Sequence, residues 1–268
     1  MPRGEYVRYV ALGDSQTEGL GDSGAGLPGW AGRLAEQLAE TSPGLLYANL
    51  AVRGRLAGQV RAGQLAPALA LRPDLATVVA GVNDLLRPRF DADGVAGHLE
   101  AMFAALTAQG AHVATLTFPD MARTIPLARP LGSRIRLLND RIRDAAHRHG
   151  VAVAETALHP VAVDPRLWSP DRLHAGPVGH ARIAAAVAHA LRLPGSDESW
   201  THPLPPAEPG VPAGLPGAGA LSAAANEMRW AAAFLGPWLG RRLRGRSSGD
   251  GRTAARPELL PVRAPGAP

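Results

Sequence analysis

Cysteine is absent from the 268 residues, and so is lysine, so that all 28 positive charges are arginine. Without thiols there is no disulfide framework, no thiolate metal ligand and no cysteine nucleophile. Aromatic residues make up only 4% of the chain, yet 46% of it is hydrophobic, enough for a sizeable core at a length that fits one or two domains. No apolar run reaches the roughly 18 residues that a membrane-spanning helix needs, and no internal repeat stands out. The first five residues run into a strand-like segment with no long apolar stretch or small-residue cleavage site, so a cytoplasmic location is expected. The formal net charge is +5, but it is concentrated in residues 241–263, where Arg241, Arg242, Arg244, Arg246, Arg252, Arg256 and Arg263 face only Asp250 and Glu258. The rest of the chain is neutral, which argues against a nucleic-acid-binding body.

What is present is an alternation. Short β-rich apolar runs at Val7–Leu12, Leu45–Leu50, Leu75–Ala80, His112–Phe118 and Val151–Ala154 predict strands. Between them, segments of helical period predict helices near Trp30–Glu40, Leu56–Leu71, Val95–Gln109 and Arg134–His149, with a last one at Val178–Leu191. Gly110 and Gly150 stand where helices stop and Pro177 where the last one starts. Five strands alternating with five helices imply a three-layer α/β fold with a five-stranded parallel sheet over residues 1–193. Residues 194–221 hold seven prolines and five glycines and read as a semi-rigid linker. Residues 222–244 regain amphipathic helical character, a C-terminal helical extension with Trp230, Phe234 and Trp238 spaced by four and an expected kink at Gly236-Pro237. Residues 245–268 are polar and Arg-rich and are expected to be a disordered tail.

The first strand runs into Gly13-Asp14-Ser15-Gln16-Thr17-Glu18-Gly19. Open parallel sheets bind ligands beyond the carboxyl ends of their strands, so Ser15 stands where a nucleophile is useful; a helix N-cap is the plainer role for such a serine. Three more segments bear on the choice. Strand two leads to Asn49-Leu50-Ala51-Val52-Arg53-Gly54, and strand three to Gly81-Val82-Asn83-Asp84. Asp171-Arg172-Leu173-His174 then brings a carboxylate alongside an imidazole on one turn. A serine hydrolase needs that pair, because the carboxylate fixes the imidazole tautomer and stabilises the imidazolium formed when His takes the Ser proton.

With these blocks in this order, the sequence resembles the SGNH hydrolases, also called GDSL esterases and lipases, over about residues 7–193. The resemblance is carried by Gly-Asp-Ser with Ser15, the glycine Gly54, Gly-x-Asn-Asp with Asn83, and Asp-x-x-His with Asp171 and His174. Gln16 replaces the leucine of GDSL, and His174-Ala175-Gly176 replaces a frequent His-Pro-Asn. The resemblance implies a flavodoxin-like sheet and two-step hydrolysis of a small-molecule ester without a cofactor. Ser15 would be the nucleophile, His174 the base and then acid, and Asp171 the orienting residue. The N–H groups of Ser15 and Gly54 and the Asn83 amide would form the oxyanion hole. The reading from another class is a catalytically silent binding protein that acts through its C-terminal helix and basic tail, and that helix also offers a weak contact with a membrane surface or a partner.

Other motifs compete less well. Gly21-Asp22-Ser23-Gly24 has no histidine before it, as a trypsin-like serine would require, and Gly245-Arg246-Ser247-Ser248-Gly249 lacks the preceding strand and following histidine of an α/β-hydrolase elbow. His147 and His149 suit a solvated helix end better than a metal. His180 rivals His174 as base but has no Asp three residues earlier. Arg87, Arg89, Arg123, Arg129 and Arg166 lie in loops expected to set specificity, and would either select an acidic substrate group or simply balance nearby carboxylates.

Overall fold

The computed structural model describes residues 5–24, 26–121, 126–206, 228–237, 240, 244 and 247–263. Strands β1 (Arg8–Gly13), β2 (Leu46–Asn49), β3 (Leu75–Val79), β4 (His112–Leu116) and β5 (Ala152–Ala154) pair in parallel, each within two residues of its predicted bounds. Their order, β5-β4-β3-β1-β2, is the flavodoxin-like one, with the chain reversing direction across the sheet between β1 and β3. The helices are α1 (Ser15–Glu18), α2 (Gly29–Thr41), α3 (Ala57–Ala70), α4 (Val82–Leu85), α5 (Ala92–Ala108), α6 (Gly132–Arg148) and α7 (Pro177–Ala190). Helices α2 and α7 pack together on one face, and α3, α5 and α6 form a row on the other. Covered on both sides, β3 is buried along its whole length and β1 at every residue after its first, which is why both read as continuous apolar runs.

The sheet has a sixth strand. β6 (Arg256–Pro261) runs antiparallel to β2, pairing Leu46 with Pro261, Tyr47 with Leu260 and Asn49 with Arg256. This corrects the expectation of a five-stranded sheet and, for residues 256–261 of the expected tail at 245–268, that of disorder. Pro257 and Pro261 make the segment look unlike a strand, but proline is tolerated where one edge of the strand has no ladder to serve. Arg256 adds a hydrogen bond from Nε to the Tyr47 carbonyl at 3.0 Å and lies 5.5 Å from the Tyr47 ring centre. Val262 follows into the core.

The start of the expected linker also belongs to the body. Trp200 is buried, with its ring edge-on to His159 at 4.6 Å, and Arg166 donates to the Pro205 carbonyl at 2.6 Å. Residues 207–227, including the first part of the expected helix at 222–244, lie outside the described residues. Residues 228–237 are helical, and Ala231–Leu235 adopts π geometry, closed by Gly236 N–H on the Ala231 carbonyl. That distortion falls where Gly236-Pro237 predicted a kink. The rings of Trp230 and Phe234 are 6.5 Å apart, while Trp238 lies outside the described residues. Among the described residues no helix is long and apolar enough to cross a membrane.

Candidate active site

The end of β1 is held before the chemistry begins. Gln64 of α3, buried, accepts from Gly13 N–H at 2.8 Å and donates to the Gly13 carbonyl at 2.9 Å. The next residue, Asp14, caps α1 by accepting from Gln16 N–H at 3.3 Å. The capping group is thus Asp14, and the Ser15 hydroxyl is left for something else. It lies 2.9 Å from His174 Nε2, across 159 residues of sequence.

His174 is oriented from its other nitrogen. Nδ1 is 2.6 Å from Asp171 Oδ2, while Asp171 Oδ1 accepts from Ser169 Oγ at 2.7 Å, Leu173 N–H at 2.9 Å and His174 N–H at 3.0 Å. Burial opposes the charge on Asp171, but the hydrogen bond and positive potential of His174, with the backbone and Ser169 donors, hold it well below the usual carboxylate range. An ionised carboxylate only accepts, so Nδ1 carries the imidazole proton and Nε2 presents a lone pair to Ser15 O–H. Gln16 brackets the same loop, donating to the Leu173 carbonyl at 2.8 Å and accepting from Ala175 N–H at 3.3 Å. The residue that departs from the family's leucine therefore ties helix α1 to the backbone on both sides of His174.

The other two blocks converge on the same place. Asn83 Nδ2 donates to Asp14 Oδ2 at 3.0 Å and to the Arg55 carbonyl at 3.1 Å, and Asp84 accepts from Ala57 N–H at 3.0 Å. These contacts join the loop after β3 to the loop after β2. Within the latter, Arg53 donates through its N–H and Nε to Glu18 of α1, and Gly54 has φ of +74°, a conformation that side-chain-bearing residues rarely adopt. Asp14 is fully enclosed here. Burial, aided by Asp84, pushes its carboxyl up to about 7 against the Gln16 and Asn83 hydrogen bonds and the His174 imidazole.

His180 is occupied elsewhere. It is buried, with Nδ1 accepting from Trp30 N–H at 3.1 Å and Nε2 on the Leu20 carbonyl at 2.9 Å, so it ties α7 to α2 and the α1 loop. Ser23 does not join the site's hydrogen bonds. Its neighbour Asp22 closes the 22–29 loop, accepting from Gly24 N–H, Gly29 N–H and Arg33 at 2.9 to 3.1 Å. His149 faces Glu100 at 3.2 Å. Of the loop arginines, Arg166 is paired with Asp164 at 2.6 Å, and Arg123 lies outside the described residues. An apolar cavity of about 90 Å³ is lined by Gln16 and Leu173, the sequence neighbours of Ser15 and His174, and among others by Val82, Leu116, Phe118 and Ile183.

The family model of the GDSL-like Lipase/Acylhydrolase family matches residues 11–182, which carry all four blocks. The chain belongs to that family. As a GDSL-like acylhydrolase it is a carboxylic ester hydrolase, and its fold is shared by solved structures of low identity. An α/β hydrolase enzyme, LAE5, from the metagenome of Lake Arreo is 22% identical with a TM-score of 0.56, covering 69% of this chain and 95% of its own. A catalytic mutant of the acetylxylan esterase Axe2 from Geobacillus stearothermophilus is 17% identical with a TM-score of 0.61, covering 75% and 99%. The psychrotrophic esterase EstA from a Pseudoalteromonas species, inhibited by monoethylphosphonate, is 19% identical with a TM-score of 0.55, covering 69% and 96%. No curated protein matches this GDSL-like hydrolase.

Proposed function

We propose that this chain hydrolyses small carboxylic esters through an acyl-enzyme on Ser15. The observation that carries the reading is the chain of contacts from Ser15 Oγ to His174 Nε2 and from His174 Nδ1 to Asp171 Oδ2, at 2.9 and 2.6 Å. Ser15 Oγ attacks the ester carbonyl as His174 Nε2 takes its proton, and the imidazolium is stabilised by the ionised Asp171. The tetrahedral oxyanion receives the N–H groups of Ser15 and Gly54 and the Asn83 amide. One Asn83 proton stays on Asp14, and the other leaves the Arg55 carbonyl for the substrate. Collapse breaks the ester C–O bond, with the proton passing from His174 to the departing alcohol. Water then attacks the acyl-enzyme with His174 again as base, and the acid leaves as Ser15 regains its proton. The apolar cavity beside Gln16 and Val82 suits the hydrocarbon part of the acyl group.

The test is a panel of p-nitrophenyl esters of graded acyl length together with a fluorophosphonate, a reagent class related to the phosphonate that inhibits EstA. Turnover with labelling on Ser15, both lost in Ser15→Ala and both kept in Ser23→Ala, is the expected result. Labelling of Ser23, or an inert protein, overturns the reading.

A further inference from the structure

The family match ends at residue 182, yet the chain returns to the active site after it. β6 is antiparallel to β2 and begins opposite Asn49, the carboxyl end of β2. The residues just before β6 are thereby delivered to the end of the sheet where the loop carrying Gly54 emerges. There the turn at 247–250 meets that loop. Ser247 Oγ donates to the Gly54 carbonyl at 3.1 Å and accepts from Gly249 N–H at 3.2 Å, while Ser247 N–H donates to Asp250 at 2.8 Å. Gly249 is buried against Arg53 so closely that a Cβ built on it would lie 2.0 Å from the Arg53 carbonyl oxygen.

That contact fixes a direction. The Arg53 carbonyl and the Gly54 N–H belong to one trans peptide and point opposite ways. With the carbonyl turned toward Gly249, the Gly54 N–H is turned away from the C-terminal turn. Glu18 holds the Arg53 N–H and guanidinium. The loop is thus held both by α1 and by the turn at 247–250. The helix at 228–237, also beyond the family match, reaches the histidine loop, where the Arg172 guanidinium lies 5.0 Å from the Trp230 ring centre.

We propose that the turn at Ser247–Asp250 is a clamp on the oxyanion loop, with Ser247 and Gly249 as positioning residues that aim the Gly54 N–H. The proposal rests on the esterase reading above, because it is there that Gly54 acts as an oxyanion donor. It also gives a role to Ser247 and Gly249 of the Gly-Arg-Ser-Ser-Gly run, with Ser247 acting through a neighbour and not as a nucleophile.

The experiment compares Ser247→Ala, Ser247→Thr, Gly249→Ala and, as a control on the exposed side of β6, Glu258→Ala in the full chain. Each is measured for kcat and KM on the best p-nitrophenyl ester, rate of fluorophosphonate labelling, melting temperature, and hydrogen exchange of the 50–57 segment. Ser247→Ala should lower kcat about 3- to 10-fold, the worth of one positioning hydrogen bond, with KM and melting temperature unchanged and exchange at 50–57 faster. Gly249→Ala should cost more, approaching about 10²-fold, since the loop or the turn must shift. Ser247→Thr, which keeps the donor, should recover most of the rate, and Glu258→Ala should match the wild type. A wild type that labels and turns over alongside Ser247 and Gly249 variants with normal kcat and exchange overturns the clamp alone. So does a rise in KM at constant kcat, or a rate loss matched by a fall in melting temperature. A wild type that neither labels nor turns over brings down the esterase reading and the clamp with it.

Discussion

Asp171 divides its carboxylate between two tasks: Oδ2 faces His174 Nδ1 at 2.6 Å, and Oδ1 gathers the N–H groups of Leu173 and His174 and the Ser169 hydroxyl within 3.0 Å. One oxygen sets the imidazole tautomer, and the other fixes the turn that carries the imidazole.

This division makes Asp171→Asn an informative substitution. The asparagine oxygen can take over the three donors of Oδ1, so the loop keeps its shape. Its NH2 then faces Nδ1, which must become an acceptor, and the imidazole proton moves to Nε2, where it cannot receive the Ser15 proton. The variant should fold with an unchanged melting temperature and lose about 10³- to 10⁴-fold in kcat with little change in KM. A loss below about tenfold in steady-state kinetics would show that Asp171 serves the turn only.

Asn83 stands at rest with its amide on Asp14 and the Arg55 carbonyl. If one of those protons turns to the developing oxyanion, Asn83→Ala should lower kcat by about 10²- to 10³-fold while KM stays near that of the wild type. A residue that merely joins the two loops would give a lower melting temperature and a normal kcat in the folded fraction. Kinetics and thermal denaturation on the same preparation separate the two.

The convergence of the four blocks could be read in the sequence because the candidate side chains and the strand ends share the same letters. Ser15, Gly54 and Asn83 each follow an apolar run that becomes a strand, and Asp171 and His174 are three residues apart. The supports were not readable in the same way. Gln64 meets Gly13 across 51 residues, and Glu18 meets Arg53 across 35; only the packed fold brings them together, and nothing in their local sequence marks them. β6 was hidden by its two prolines and arginine-rich surroundings, signals of an exposed chain that an edge strand can also satisfy. Trp200 in the proline-rich stretch was the clue that residues near 200 belong to the body, since so large an apolar ring is costly to leave in water.

Asp14 gives a pH signature. Its carboxyl is raised from the ordinary 3.8 to about 7 because it is buried. A group that holds its proton more tightly folded than unfolded favours the native state at low pH, and that contribution is lost as pH rises from about 4 through about 7. Asp14→Asn removes the charge that must be buried at higher pH. It should therefore gain stability on the wild type progressively between pH 4 and 7, by up to roughly 4 kcal/mol, and by nothing further above that range. Denaturant midpoints of the two proteins that stay parallel over this window would show that Asp14 ionises as easily folded as unfolded.

The C-terminal strand reverses what the composition of the tail suggests about its deletion. A disordered basic tail would be dispensable, but β6 pairs with β2, Val262 is buried in the core and Leu259 packs against it. Removing residues 256–268 strips the β2 edge of its partner and uncovers Tyr47, whose ring now lies under Arg256. Burial of one such aliphatic side chain contributes about 1.5 to 3 kcal/mol, which in a chain of this size corresponds to a fall in melting temperature of roughly 3 to 12 °C. The bared strand also offers unpaired N–H and carbonyl groups to other molecules, so the truncated protein should self-associate on heating. Scanning calorimetry and light scattering on the full-length and truncated chains provide the check. Coincident melting curves with no added scattering would mean that the pairing of β6 with β2 contributes nothing to stability.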